Sequence, residues 1–399
     1  MLTEAGCRQR RAKLWTRLPE SITAAIVADP RHVSYLTNFR VQPLCFSRGE
    51  RAILLLERDG GSGPDDGAGR ATLAADNFTA KSADGEAFCD RFLETTWYDH
   101  AHGVTNRDHA TFAALAKRGA IGGKTLLEAE WCPAMVGEIC RDSLKTDAEL
   151  HFQCPVDGKT HTLGTLLRDL RRQKLPDEIE CLLRCMEAGD AGHAKAFEVI
   201  RPGVTDLEVY NAVATVCNET AGQPGIVYGD WRSTRVGRGK VGGLPVGEKL
   251  EQGDLFILDY SFVLHGYRSD FTNTYAVGGE PSADQQRLFD ACKASMTAGE
   301  GVLKAGAKAS AVYDACNGVL VDAGFGKLSH HAGHGLGMGH PEPPIEVPES
   351  GDELRENDVV TLEPGSYHDE IGGVRIEHNY RITPTGYERL SNHRIALTP

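Results

Sequence analysis

The sequence has no apolar run approaching the roughly 18 residues that a membrane-crossing helix needs, so no membrane span is expected. It has no excess of positive charge either: 43 Lys and Arg stand against 56 Asp and Glu, a net charge of −13. Sequence-independent binding to nucleic acid rests on a cationic footprint and is not expected here. No C-x-x-C pair occurs among the 11 scattered cysteines, which argues against a zinc ribbon. Cys181 and Cys185, four apart in a helical pattern, read as buried thiols, and this usage fits a reducing, cytoplasmic setting. The first stretch, MLTEAGCRQRRAKLW, is polar and basic with no apolar run behind it, unlike a secretory signal.

What the chain does have is the composition of a globular protein, 41% hydrophobic and 25% charged over 399 residues, enough for two domains. ITAAIVAD (22–29) and RAILLLERD (51–59) read as short buried strands, with a short helix and turn at 30–39 between them. The Gly/Asp-rich segment 59–70 reads as a surface loop. From about Leu166 the pattern becomes helical. Ile179, Leu182, Leu183 and Met186 carry the amphipathic spacing, and Pro176, Asp177 and Glu178 suit a first turn. Thr205 and Glu208 have the form of a capping box opening a second helix. The boundary falls before that first helix, giving domains 1–171 and 172–399. In the last 150 residues, β-branched and aromatic strand patterns mix with helical ones, which makes the second domain α+β.

Chemistry concentrates in that second domain. Asp259 follows the apolar run Leu255–Leu258, and Asp270 follows 11 residues later across a turn. A hairpin centred on Leu264 and His265 would set the two directly opposite. Glu363 and Glu377 end the runs VVTLE and GVRIE on either side of another turn. Facing carboxylates inside apolar strand are destabilising unless something cationic lies among them. Arg375 is the one basic residue in those strand cores, and a single guanidinium cannot balance four carboxylates; a pair of divalent ions can. His334, flanked by Gly333, Gly335 and Gly337, adds an imidazole, which favours zinc, manganese, iron or cobalt over calcium or magnesium. Taken singly, each of these residues is a turn cap or a surface charge. Together they form one coherent site.

The segments LDYSFVLHGYRSDFTNT, HAGHGLGMGHPEPP, TLEPGSY and GVRIEHN resemble the signature blocks of the pita-bread metallopeptidase superfamily, which holds methionine and Xaa-Pro aminopeptidases, prolidases and the non-peptidase creatinases. VADPRHVSYLTNF is similar, more weakly, to the creatinase-type N-terminal domain. The resemblance implies a creatinase-like N-terminal α/β domain followed by a pita-bread catalytic domain, working as a homodimer. It implies that Asp259 chelates one metal, that Asp270 and Glu377 bridge both, and that His334 and Glu363 complete the second. Two such metals, ~3.5–4 Å apart, would clamp a water and bring its pKa towards neutrality, giving hydroxide as nucleophile. Glu363 would move its proton, His340 would bond the oxyanion or leaving group, and His330 would line the substrate pocket.

Three departures from the family pattern bear on the substrate. His340 lies six residues after His334, not seven; the stretch before Asp259 has no histidine; and Asn273 stands where arginine is usual. In place of that histidine come Arg232, Arg235, Arg238 and Lys240, either a solvated basic loop or a clamp for a substrate carboxylate. Arg235, Arg375 and Tyr267 are the candidate substrate contacts, and Arg375 is further expected to orient Glu377. Gly237, Gly239 and Gly242 satisfy G-x-G-x-x-G without the strand–helix context of a dinucleotide site. The expected activity is hydrolysis of short proline-containing peptides by an Xaa-Pro aminopeptidase or dipeptidase. The alternative is a creatinase-like enzyme acting on a small carboxylated molecule.

Overall fold

In the computed structural model, residues 1–41, 52–58, 66–105, 107, 111, 114–115, 123–132 and 149–398 are described. The chain divides into two compact units, Met1–Arg171 and Arg172–Pro399. Among the described residues no helix is long and apolar enough to cross a membrane.

The first unit is built on a mixed sheet of β1 (Ile22–Val27), β2 (Ile53–Glu57), β3 (Arg70–Asp76), β4 (Arg91–Thr95), β5 (Lys124–Leu127) and β6 (Glu149–His151), in the order β4-β3-β2-β1-β5-β6. β1 runs antiparallel to β2 and parallel to β5, and Ala24, Ile26, Ile53, Leu55, Ala74 and Leu127 form the core on one face. Helix α1 (Glu4–Arg17) opens on Thr3, whose hydroxyl takes the Gly6 N–H. Helix α2 (Pro30–Thr37) has Asp29 as its cap, Pro30 in the first turn and Asn38 at φ 60 as its left-handed stop. At the β1–α2 junction Glu128 accepts the N–H groups of Ala28 and Asp29 and meets His32 Nδ1, so this buried carboxylate is fully engaged. Of the Gly/Asp-rich segment, residues 59–65 lie outside the described residues, and β3 begins at its far end.

In the second unit, α4 (Pro176–Val199) follows α3 (Leu163–Leu170) of the first and packs on α5 (Asp206–Ala221). Pro176 sits in the first turn of α4, and Glu178 reaches back to the Leu175 N–H. Thr205 and Glu208 close their capping box at the start of α5. The next strands are β7 (Ile226–Thr234), β8 (Leu255–Leu264), β9 (Tyr267–Arg268) and β10 (Phe271–Ala276); β8 pairs with all three others. A Cβ at Gly189 of α4 would lie 2.2 Å from the Phe271 ring, so glycine is what lets this helix press onto the sheet.

Helices α6 (Ala283–Glu300) and α7 (Ala309–Asp322) pack together and cover the rest of the core with Leu288, Cys292, Val312 and Cys316. They face a sheet in which β11 (Gly333–Gly335) lies between β12 (Glu342–Glu346) and β13 (Val359–Leu362), followed by β16 (His378–Ile382) and β17 (Tyr387–Arg389). β14 (Gly365–His368) and β15 (Gly372–Arg375) form a separate hairpin. Arg172, at the start of this unit, is buried and forks onto Asp358 at 2.7 and 3.3 Å. Seven of the nine described cysteines are buried, Cys181 and Cys185 among them.

Candidate metal centre

The β8–β9 turn decides where the first two carboxylates stand. Leu264 pairs with Tyr267, and His265 and Gly266 make a two-residue turn with both residues at positive φ, as a type I′ hairpin requires. The turn therefore lies one position later than a centre on Leu264 and His265, because Leu264 is buried and stays in the strand. Asp259 faces Thr272 across the ladder rather than Asp270. The offset is two residues, so Asp259 and Asp270 remain diagonal neighbours on one face. In the second hairpin Gly365 pairs with Arg375, and Glu363 and Glu377 stand two residues further out on either strand.

The folded chain brings these residues together. One ligand atom each from Asp259, Asp270 and Glu377 falls within 4.8 Å of the others, and the same holds for Asp270, His334 and His340, and for His331, His334 and Glu363. His334 Nε2 lies 3.4 Å from Glu363 and 3.6 Å from Asp270. His340 reaches Asp270 Oδ2 at 2.7 Å despite its shortened spacing. Two participants were not picked out from sequence. His331 Nε2 is 3.0 Å from Glu363 Oε1; it stands beside His330 in the same histidine run, and spacing alone did not choose between them. Asp230 lies directly opposite Asp259 on β7.

The substrate-contact candidates fare differently. His330 sits with Nε2 3.3 Å from the Tyr367 hydroxyl. Tyr267 is buried and donates its hydroxyl to Glu178 in the first turn of α4 at 3.0 Å. Arg235 pairs with Glu251 at 2.6 Å and Asp254 at 2.9 Å, and Arg238 forks onto Glu248, so an acidic cluster of the same unit takes up both arginines. Lys240 is different: its ammonium lies 5.0 Å from the Tyr367 ring centroid, and no carboxylate pairs with it among the described residues. Arg375 binds Asp259, Asp230 (2.9 Å) and the Tyr367 hydroxyl (3.2 Å). It does not orient Glu377; Thr272 does, donating its hydroxyl to Glu377 Oε2 at 2.8 Å.

The electrostatics reflect crowded negative charge. Burial, with Asp270 and Glu363 nearby, raises Asp259, although Arg375 opposes the shift. Glu377 is raised well above its ordinary value by burial and then by Asp270, Glu363 and Asp259, and its Oε1 has no hydrogen-bond partner among the described residues. For Asp270 and Glu363 burial acts in the same sense, but hydrogen bonds from His340 and His331, together with attraction to the surrounding histidines and, for Asp270, Arg268, outweigh it and hold both low. Two carboxylates pushed upward by burial and by neighbouring negative charge, one with an oxygen that has no partner among the described residues, are an arrangement that cations would relieve. The mixed carboxylate and imidazole donors suit divalent transition metals.

The profile of metallopeptidase family M24 matches residues 180–384, half of the chain and all of this centre. The chain belongs to metallopeptidase family M24. It is 29% identical over 231 residues to an Xaa-Pro dipeptidase of Pyrococcus horikoshii and 29% identical over 234 residues to one of Pyrococcus furiosus. These alignments take in 57% of this chain and 64% and 66% of the relatives, just under two thirds of their length. Among solved structures, the prolidase from P. horikoshii superposes with a TM-score of 0.73 at 22% identity, covering 98% of this chain and 99% of that one. The X-Pro aminopeptidase from Thermotoga maritima gives 0.73 at 18% identity over the same shares. The M24 chain thus has the two-part fold of these proteins, with the pita-bread arrangement in its second unit.

Proposed function

We propose that this M24 chain is a hydrolase of short peptides with proline after the scissile bond, an Xaa-Pro aminopeptidase or dipeptidase, working with two divalent ions. Asp259, Asp270, His334, Glu363 and Glu377 would hold them. The single observation behind this reading is the meeting of Asp259 with the buried Asp270 and Glu377, one Glu377 oxygen having no partner among the described residues. The names of the two Pyrococcus relatives support the substrate class. Divalent ions at such a site supply Lewis acidity to a carbonyl and acidify water. Manganese, zinc, cobalt and iron all accept this donor set.

The chain's own groups account for the rest. Glu363 Oε1 lies 3.0 Å from His331 Nε2, which places a base and a proton relay side by side. His340, whose pKa is raised by its contact with Asp270 against the effect of burial, stands at the same edge. Tyr367, fixed between Arg375 and His330, forms one wall of the substrate site. The chain would act as a cytoplasmic homodimer.

A second reading, hydrolysis or cleavage of a small carboxylated molecule, is favoured by one feature. Lys240 lies against Tyr367 in the stretch where a histidine was expected. Metal analysis of the purified protein should find about two transition-metal ions per chain. A panel of Xaa-Pro dipeptides and tripeptides, run with each metal in turn, should show turnover. Bound metal with a flat panel would favour the second reading, and absence of metal would refute the first and leave only a creatinase-like enzyme.

A further inference from the structure

The strand that follows Asp270 is backed by a part of the chain the chemistry above does not use. Beyond β17 the C-terminal segment runs beside β10. Asn273 exchanges two hydrogen bonds with the backbone of Ala396, at 2.9 and 3.2 Å, and the Ala276 N–H donates to the Leu397 carbonyl at 2.8 Å. An arginine at position 273 could not make this two-way amide exchange. Ser391 Oγ accepts the Asn379 N–H at 3.0 Å and meets His378 Nδ1 at 2.8 Å, immediately after Glu377. Asp190 of α4 pins the segment by accepting the N–H groups of Asn392 and His393 at 2.8–3.0 Å.

His393 is the residue of this segment that reaches the centre. Its side chain is fully buried, stacked on His193 (4.4 Å, 26°) and Phe271 (4.9 Å, 23°). Its Nε2–H donates to the Thr272 carbonyl at 3.2 Å, which fixes the tautomer, since a carbonyl only accepts. The same carbonyl accepts the Glu377 N–H at 2.9 Å, while the Thr272 hydroxyl holds Glu377 Oε2. Thr272 is thus gripped by His393 on one side and grips Glu377 on the other, while Glu377 Oε1 has no partner among the described residues.

We infer that His393 is a positioning residue of the metal centre, setting through Thr272 where the Glu377 carboxylate stands and so how tightly the cations bind. The inference rests on the metal-centre reading above. Groups that orient a metal-binding side chain from behind typically change metal affinity about 10–100-fold when removed.

The test is calorimetric titration of the metal-free full chain with Mn²⁺, paired with the visible spectrum of the Co²⁺-loaded protein. His393→Phe keeps the stacked ring and removes the donor; His393→Gln returns an amide N–H without the ring. His393→Phe should weaken Mn²⁺ binding about ten-fold or more and alter the Co²⁺ spectrum, and His393→Gln should recover most of both. Thr272→Val should weaken binding similarly, and the double variant should be no weaker than the worse single one, because both act along one path. If His393→Phe does not fold, Thr272→Val and His393→Gln decide the matter. Asp270→Asn serves as the reference. If Asp270→Asn binds Mn²⁺ as the parent does, the metal-centre reading falls and this inference with it. If Asp270→Asn loses the metal while His393→Phe or Thr272→Val binds normally, only the inference is overturned, whatever happens to the melting temperature.

Discussion

Replacing Glu346 with methionine should stabilise this protein, and more so as the pH rises. Glu346 ends β12 opposite Gly333, is fully buried, and has no hydrogen-bond partner for either carboxyl oxygen among the described residues. An unsatisfied buried polar group costs about 1–3 kcal/mol, and methionine fills a similar volume without polar oxygens. Burial, and to a lesser degree Glu363, raises the Glu346 pKa well above its ordinary 4.5. A group whose folded pKa is raised contributes its full stability below the unfolded value and loses it as pH rises towards the folded one. Above about pH 4.5 the parent should therefore lose about 1.4 kcal/mol per pH unit relative to Glu346→Met, until the folded pKa is passed. Melting temperatures of both proteins between pH 4.5 and 8.5 measure this, each kcal/mol appearing as about 2–4 °C. A variant less stable than its parent throughout, or a difference that does not grow with pH, would refute the reasoning.

Asp270→Asn should abolish stoichiometric transition-metal binding and with it any turnover, read by metal analysis and peptide assay. Lys240→Gln should raise KM several-fold for substrates with a free carboxylate while leaving their amides unchanged; equal effects on both would separate Lys240 from substrate recognition. Arg172→Met leaves Asp358 buried without its guanidinium and should cost about 3 kcal/mol or more, measured by urea unfolding. Thr205→Ala removes the hydroxyl cap of α5 and should cost about 1 kcal/mol by the same assay.

The carboxylate pairs could be read from sequence because strand parity carries them: apolar runs ending in Asp or Glu place the acid on a definite face. The turn between Asp259 and Asp270 could not be placed as well, since Leu264 suits either a strand end or a turn until its burial is known. His331 and Asp230 were missed for different reasons. His331 competes with an adjacent histidine, and Asp230 lies in a strand 29 residues away whose register no local pattern fixes. Arg375 was correctly singled out as a neighbour of the carboxylates but given the wrong one, because side-chain reach across a sheet does not follow chain adjacency. The long-range strap of Ser391, His393 and Ala396 leaves no short-range signature at all. The capping box at Thr205 and Glu208 and the first turn at Pro176, which depend only on neighbours, were legible.

The geometry of the β8–β9 loop also bears on how the molecule can be altered. Lengthening or shortening that connection by an even number of residues keeps Asp270 turned inward and merely slides it along the sheet. An odd change reverses which residues of the returning strand look inward, exchanging an acid for an apolar ring in a single step. Variation in this loop, natural or engineered, should therefore come in twos.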